Sequence, residues 1–238
     1  MSLSTPLGRA PFEPAGRHTD VALPDRVSYW EPWPRRMRAV HSGRTVVDSE
    51  RGVMLWRTGT FPELYFPRAD VRADLVEADV LTPAPSLPGD PLGDHVAVDF
   101  AAMDRWFDED DPVYAHVRDP YHRVDVRASS RHVTVTHGGR VLAESGRPKL
   151  LFETGNPIRY YLPFADVDLA VLELSRTVSE CPYKGDGQHW NLVLGADRIP
   201  DAGWSLPHPL PEGLPAAEHL CFYPAKVELV VDGRRVTE

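Results

Sequence analysis

Cys181 opens a segment, Cys181-Pro-Tyr-Lys-Gly-Asp-Gly-Gln-His-Trp, that places a thiol, an amine and an imidazole close together in the chain. An ammonium or imidazolium beside a thiol stabilises the thiolate, the form that acts as nucleophile or redox centre. Cys181, Lys184 and His189 are therefore the candidate catalytic set, with Cys181 as nucleophile or acid/base thiol and Lys184 or His189 tuning it. The competing reading is that the turn packs the thiol inward as a small apolar group. A disulfide with Cys221 is not expected, because the compartment is read as reducing.

A second constellation is Glu153, Arg159, Tyr160 and Tyr161. Strand alternation puts Arg159 and Tyr161 on one face, and Glu153 could pair with Arg159 across a hairpin, either as a structural ion pair or as charges lining a cavity. An earlier stretch of the chain carries Arg57 and Glu63 at the matching positions. Reversing both charges preserves a cross-strand pair, which favours the structural reading. Tyr183, Trp190, Trp204, Tyr161 and Phe222 could wall a pocket for a flat or cationic ligand, or could fill the space between sheets. The acidic run Asp104, Asp108, Glu109, Asp110 and Asp111 lacks the spacing of a Ca²⁺ loop and reads as solvated surface. The histidines His132, His137, His189, His208 and His219 form no ligand pattern, so no metal and no cofactor are expected.

The elements that must position these residues follow from a repeat. His41 to Val71 aligns without a gap on His137 to Val167 at an offset of 96, with 13 of 31 positions identical. This reads as a duplicated domain. In each copy the pattern is β: His132 to Thr136 alternates, Gly138-Gly139 turns the chain, and Val141 starts a return strand. Leu150 to Glu153 and Arg159 to Leu162 flank Gly155-Asn-Pro as a second hairpin. Val167, Ala170, Val171 and Leu174 then fall at helical spacing behind Asp166 as N-cap, predicting one short helix. Val71 to Asp79 is the matching helix of the first copy and Arg123 to Arg127 its late strand. In the second copy Trp190 to Leu194 and Lys226 to Val231 close the sheet, and Trp204 falls in a loop. The domain reading is residues 1–26 as a Pro-rich segment, 27–128 as a first, degenerate repeat and 129–238 as the repeat carrying the site.

The chain has 238 residues with 26 Lys plus Arg against 35 Asp plus Glu. A formal charge of −9 disfavours a dedicated nucleic-acid binder. No run approaches the ~18 apolar residues of a membrane span, and the amino terminus lacks an apolar signal core. A cytoplasmic protein is expected, with no nucleic-acid or membrane partner and with its oligomeric state left open.

The ordered motifs Gly139-Arg-Val-Leu-Ala-Glu-Ser, Phe152-Glu-Thr-Gly, Arg159-Tyr-Tyr-Leu-Pro, Ala165-Asp-Val, Cys181-Pro-Tyr-Lys-Gly, Trp190, Phe222-Tyr and Val231-Asp-Gly resemble those of the domain of unknown function family 427. The segment from Asp110 to Asp125 resembles the bridge of its tandem members. The resemblance implies a mainly β fold of two tandem beta-tent-like domains, a fold shared with methionine-R-sulfoxide reductases and with yippee and cereblon ligand-binding domains. The family also carries a nucleotidyltransferase label. Two departures limit what carries over. Cys181 and Cys221 make no paired C-x-x-C knuckle, so structural zinc is not expected. No G-x-x-x-x-G-K-[ST] loop and no G-S-x(n)-D-x-D arrangement is present, so nucleotidyl transfer is not expected either.

Three functions fit these residues. One is an enzyme of small-molecule metabolism using Cys181 in a pocket of the second copy. Another is a non-catalytic module whose pocket, lined by Tyr183, Trp190, Arg159, Tyr161, Glu153 and Trp204, recognises a metabolite or a peptide end. The last is a tandem scaffold acting through protein contacts, which predicts an apolar surface patch and no enclosed pocket. A small-molecule ligand is the partner the sequence favours.

Overall fold

Two-residue turns that need positive φ set the hairpins of the computed structural model, which describes residues 26–89 and 91–237. The Pro-rich segment 1–26 lies almost wholly outside the described residues. Gly138 (φ 57°) and Gly139 (φ 80°) turn one hairpin, and Ser42 (φ 50°) with Gly43 (φ 72°) turns its counterpart. Such turns match the right-handed twist of the flanking strands.

The chain is mainly β and divides into two compact units between Asp119 and Pro120. The first contains β1 (Ser28–Pro32), β2 (Met37–His41), β3 (Arg44–Ser49), β4 (Val53–Arg57), β5 (Glu63–Pro67), β6 (Leu81–Pro83), β7 (His95–Val98), β8 (Arg105–Asp108) and β9 (Asp111–Val113). They form antiparallel sheets in the orders β1-β4-β5-β7-β6 and β3-β2-β8-β9. The second contains β10 (Val124–Ala128), β11 (Val133–His137), β12 (Arg140–Ser145), β13 (Lys149–Glu153), β14 (Arg159–Pro163), β15 (Leu172–Ser179), β16 (Gly185–Leu194), β17 (Asp197–Pro209), β18 (His219–Phe222), β19 (Glu228–Val231) and β20 (Arg234–Val236). Its sheets run β10-β13-β14-β18-β17-β16-β15 and β12-β11-β19-β20.

Strands β1 to β5 and β10 to β14 have bounds that differ by 96 throughout. The bulge between Ala39 and Val40 has its counterpart between Val135 and Thr136, and the bridge Val47↔Val71 has its counterpart in Ala143↔Val167. Side chains follow the same register. Ser49 Oγ donates to Asp70, which also holds Arg51, and Ser145 Oγ donates to Asp166, which also holds Arg147. The units diverge afterwards, because the second threads β15 to β17 into its large sheet where the first has only the short β6.

Several expectations need correction. The strand at Arg123 to Arg127 does not close the first copy. It forms most of β10, pairs with β13 and opens the second unit, which therefore starts at Pro120 and not at 129. The expected helices are single 3-10 turns, Phe164–Asp166 and Leu169–Val171 in the second unit, and Ala73–Leu75 and Ala78–Val80 within the first. The helical spacing spans only two turns, too short to hold a helix against pairing, and Leu174 lies in β15 opposite Trp190. Asp166 caps nothing there; Asp168 accepts from Ala170 N at 3.2 Å. Trp204 is in a strand, not a loop. Gly203 precedes it because a Cβ there would sit 2.6 Å from the Cys221 carbonyl.

In the second unit both faces of the large sheet carry core. Leu162, Leu192, Leu220 and Phe222 meet Val133, Val135, Leu142 and Leu229 of the smaller sheet, all at most 1% exposed. Burying each such side chain contributes roughly 1.5–3 kcal/mol. Residues of opposite parity, Tyr161 and Cys221, pack on the other face with Leu151, Leu206 and Ala216.

Candidate functional site

Strand alternation through β16 and β17 sorts the candidate residues between these two faces. Gln188 stands opposite Ser205 and His189 opposite Trp204. Trp190 points to the same side as Gln188 and donates its indole N–H to Ser205 Oγ at 2.9 Å. His189 and Trp204 point to the other.

On the Trp190 side the sheet carries an open groove of about 810 Å³. Leu174 faces Trp190 and Val178 faces Gln188 across the β15–β16 ladder, with the intervening residues bulged out. Phe164, its ring 5.9 Å from that of Trp190, and Leu169 extend the apolar wall. Leu174 and Val178 are 62% and 57% exposed. Solvated apolar side chains side by side are a feature that folding does not require and that ligand-binding grooves carry. Asp186, Glu218 and His208 complete the lining with Gln188.

The opposite face is an aromatic and cationic stack. Trp204 Nε1 donates to the Tyr161 hydroxyl at 2.9 Å, and the Trp204 ring lies 4.3 Å from that of Tyr223. Arg159 sits over both Trp204 and Tyr223, and Lys226 over Tyr223. His189 lies against Tyr223, with Nε2 3.1 Å from Ser179 Oγ. Burial pushes the His189 imidazole below its ordinary value despite the nearby carboxylate of Asp201, favouring the neutral ring. Burial likewise lifts the Tyr161 phenol well above its ordinary value.

Glu153 does not pair with Arg159. Its carboxylate, 9% exposed, receives Lys184 Nζ at 2.5 Å and His122 Nε2 at 3.1 Å. In the first unit the swapped pair Arg57–Glu63 does form. Arg159 instead lies over aromatic rings, and Lys184, brought in by the β15–β16 turn, takes its place. Burial works to raise the Glu153 carboxyl, but the His122 hydrogen bond and the Lys184 charge outweigh it and hold it below its ordinary value. Tyr183 is buried and stacks on His122 at 4.3 Å.

Cys181 follows β15 in the same turn. It is partly exposed, and its Sγ accepts the Lys184 N–H at 3.5 Å. Cys221 is wholly buried. The sheet thus gathers Glu153, Lys184 and Tyr183 around His122, and Arg159, Tyr161, His189 and Trp204 around Tyr223. Trp190 is separated from all of them, and Cys181 does not line the groove that Trp190 lines. Among the described residues no group of His, Cys, Asp and Glu could hold a metal ion.

Sequence reasoning missed His122, Tyr223 and the groove residues Phe164, Leu169, Leu174, Val178, Asp186 and Glu218. Tyr223 had a signal in its Phe222-Tyr motif. His122 had none, since its partner lies 31 residues on.

Comparison with known proteins adds one finding on family and none on activity. No curated protein matches the chain. The family profile described as Domain of unknown function (DUF427), labelled NTP_transf_9, matches residues 29–86 and 125–233. These two segments take in the corresponding hairpins of both units and most of the second, and on that match the chain belongs to the DUF427 family.

Proposed function

We propose that the second unit binds a small molecule in the groove on the Trp190 face of its large sheet. The observation that carries this reading is the solvated apolar wall of Leu174, Val178, Leu169 and Phe164 facing Trp190. Its volume, about 810 Å³, suits a metabolite-sized ligand. Trp190 was singled out by sequence for such a role; the wall opposite it was not. The test is calorimetric titration of the full chain with 2-naphthylmethanol, a neutral flat probe, against the Leu174→Asp/Val178→Asp variant. Both replaced side chains are more than half exposed, so the variant keeps its fold. Binding by the parent that is lost in the variant supports the reading, and equal binding by both overturns it.

Further elements belong to the same proposal. The shared offset of 96 in strand bounds, bulge and Ser-Asp-Arg contacts supports a tandem duplication, and the family resemblance supports a beta-tent-like fold. A cytoplasmic location is supported by two cysteines that remain free thiols.

A second reading is thiol chemistry at Cys181. It is favoured by the partial exposure of this thiol beside the turn that carries Lys184 to Glu153 and His122. Since Cys181 does not line the groove, this chemistry is separable from ligand binding there. Loss of turnover in Cys181→Ala with probe affinity unchanged would support it.

A further inference from the structure

We infer that the ligand of this groove is an organic cation: a flat or branched apolar body carrying a protonated amine. This deepens the proposed function and rests on the groove being the ligand site.

Three observations converge. First, the ionisable side chains lining the groove are Asp186, Glu218 and His208, and no Lys or Arg lines it. Asp186 and Glu218 are exposed, and neither carboxylate has a hydrogen-bond or ion-pair partner among the described residues. Other acidic side chains of the second unit have cationic partners, among them Glu153 with Lys184, Asp166 with Arg147, Asp168 with Arg140, Glu173 with Arg198 and Asp232 with Arg131. Leaving two carboxylates unpaired beside solvated apolar side chains sets a negative field over the groove. Second, Trp190 has given its only donor to Ser205. What remains is its ring system, whose face attracts a cation and repels an anion. Phe164 adds a second ring of the same character. Third, Gln188 Nε2 is committed to the carbonyls of Ser175 and His189, so its amide donors are not available to an anionic ligand.

Two sources of positive charge border the site: Arg176 is exposed on β15 between Leu174 and Val178 without lining the groove, and Glu218 also borders an adjacent hollow containing Arg147, Lys149 and His219. Arg147 is held by Asp166. Asp186 borders only the groove of these two, across the ladder from His208. Asp186 is thus the carboxylate expected to dominate the preference.

The test uses three probes that share a ring system and differ in charge: 2-naphthylmethylamine, 2-naphthylmethanol and 2-naphthoate. Each is titrated calorimetrically into the full chain at low salt. An exposed carboxylate contributes up to about 1 kcal/mol to a pair, so two carboxylates and the ring faces should favour the amine over the naphthoate by roughly tenfold. The neutral alcohol should fall between them. Asp186→Asn/Glu218→Gln should bring the three probes to within about threefold of one another, with the fold, read by circular dichroism, unchanged. Equal binding of all three by the parent chain overturns the cation assignment and leaves the groove as a site. Tighter naphthoate binding does the same. If none of the three binds, the groove reading fails and this inference with it.

Discussion

Replacing Lys184 with Met strands the Glu153 carboxylate with His122 as its remaining partner. Deleting one member of a buried ion pair costs roughly 3–5 kcal/mol, because the partner charge stays desolvated. Lys184 keeps some contact with water, its side chain being 18% exposed, and His122 still reaches the other carboxylate oxygen at 3.1 Å. The low end of that range, about 3 kcal/mol at pH 7, is therefore expected. Glu153→Gln made alone should cost less, and the double variant should be no less stable than Lys184→Met, since the charge left unpaired by the first change is removed by the second. The coupling should reach about 2 kcal/mol. The pH dependence has a definite sign. Glu153 is held below its ordinary value of 4.5, so it stabilises the fold above that pH and the contribution is lost as pH falls through its lower folded value. The penalty for Lys184→Met should accordingly shrink as pH falls from 7 to 4, because Glu153 can then be protonated. Urea titrations read by circular dichroism and tryptophan fluorescence measure all of these quantities. If the units unfold in separate transitions, only one midpoint should move. A cost below about 0.5 kcal/mol, or strict additivity of the two changes, would refute the ion-pair account.

Three further outcomes follow from local geometry. Gly185→Ala should destabilise by about 2 kcal/mol or more in urea titration, since a Cβ there would lie 2.5 Å from the His208 carbonyl in a backbone of φ +92°. Iodoacetamide followed by peptide mass spectrometry should label Cys181 in the native chain and Cys221 only after denaturation, because the first is partly exposed and the second is wholly buried; native labelling of Cys221 would contradict the packing. Asp166→Ala and Asp70→Ala should each cost about 1 kcal/mol by thermal or urea unfolding, because each leaves a buried serine hydroxyl without its acceptor. A marked difference between these two would show that the corresponding contacts are not energetically equivalent.

The hairpins were legible because period-two alternation and paired turn residues such as Gly138-Gly139 are local signals. The repeat was legible because the same local signals recur. Other features were hidden for physical reasons. Val167 to Leu174 matches a helical spacing over too short a span to distinguish a helix from a 3-10 turn leading into a strand. Ala202-Gly203 looks like a loop, yet Gly203 is there to let β17 approach the Cys221 carbonyl. Arg159 was the cation expected to reach Glu153 across the hairpin, while the actual partner, Lys184, arrives from a turn 31 residues away. The groove is formed by register: a bulge sets Leu174 against Trp190 and Val178 against Gln188, a pairing that depends on how β15 docks. Of the residues singled out for chemistry, most gather in the second unit's large sheet and its β15–β16 turn, but adjacency in sequence placed Trp190 beside His189 when alternation sends them to opposite faces.

The most direct measurement is the chemical-shift response of isotopically labelled full-length chain to 2-naphthylmethylamine. The groove account predicts that the Trp190 indole, the Gln188 side-chain amide and the backbone of Leu174 and Val178 move while the Trp204 indole stays still. Movement centred on Trp204, Tyr223 and Arg159, with Trp190 unaffected, would place ligand recognition on the other face of the sheet and contradict it.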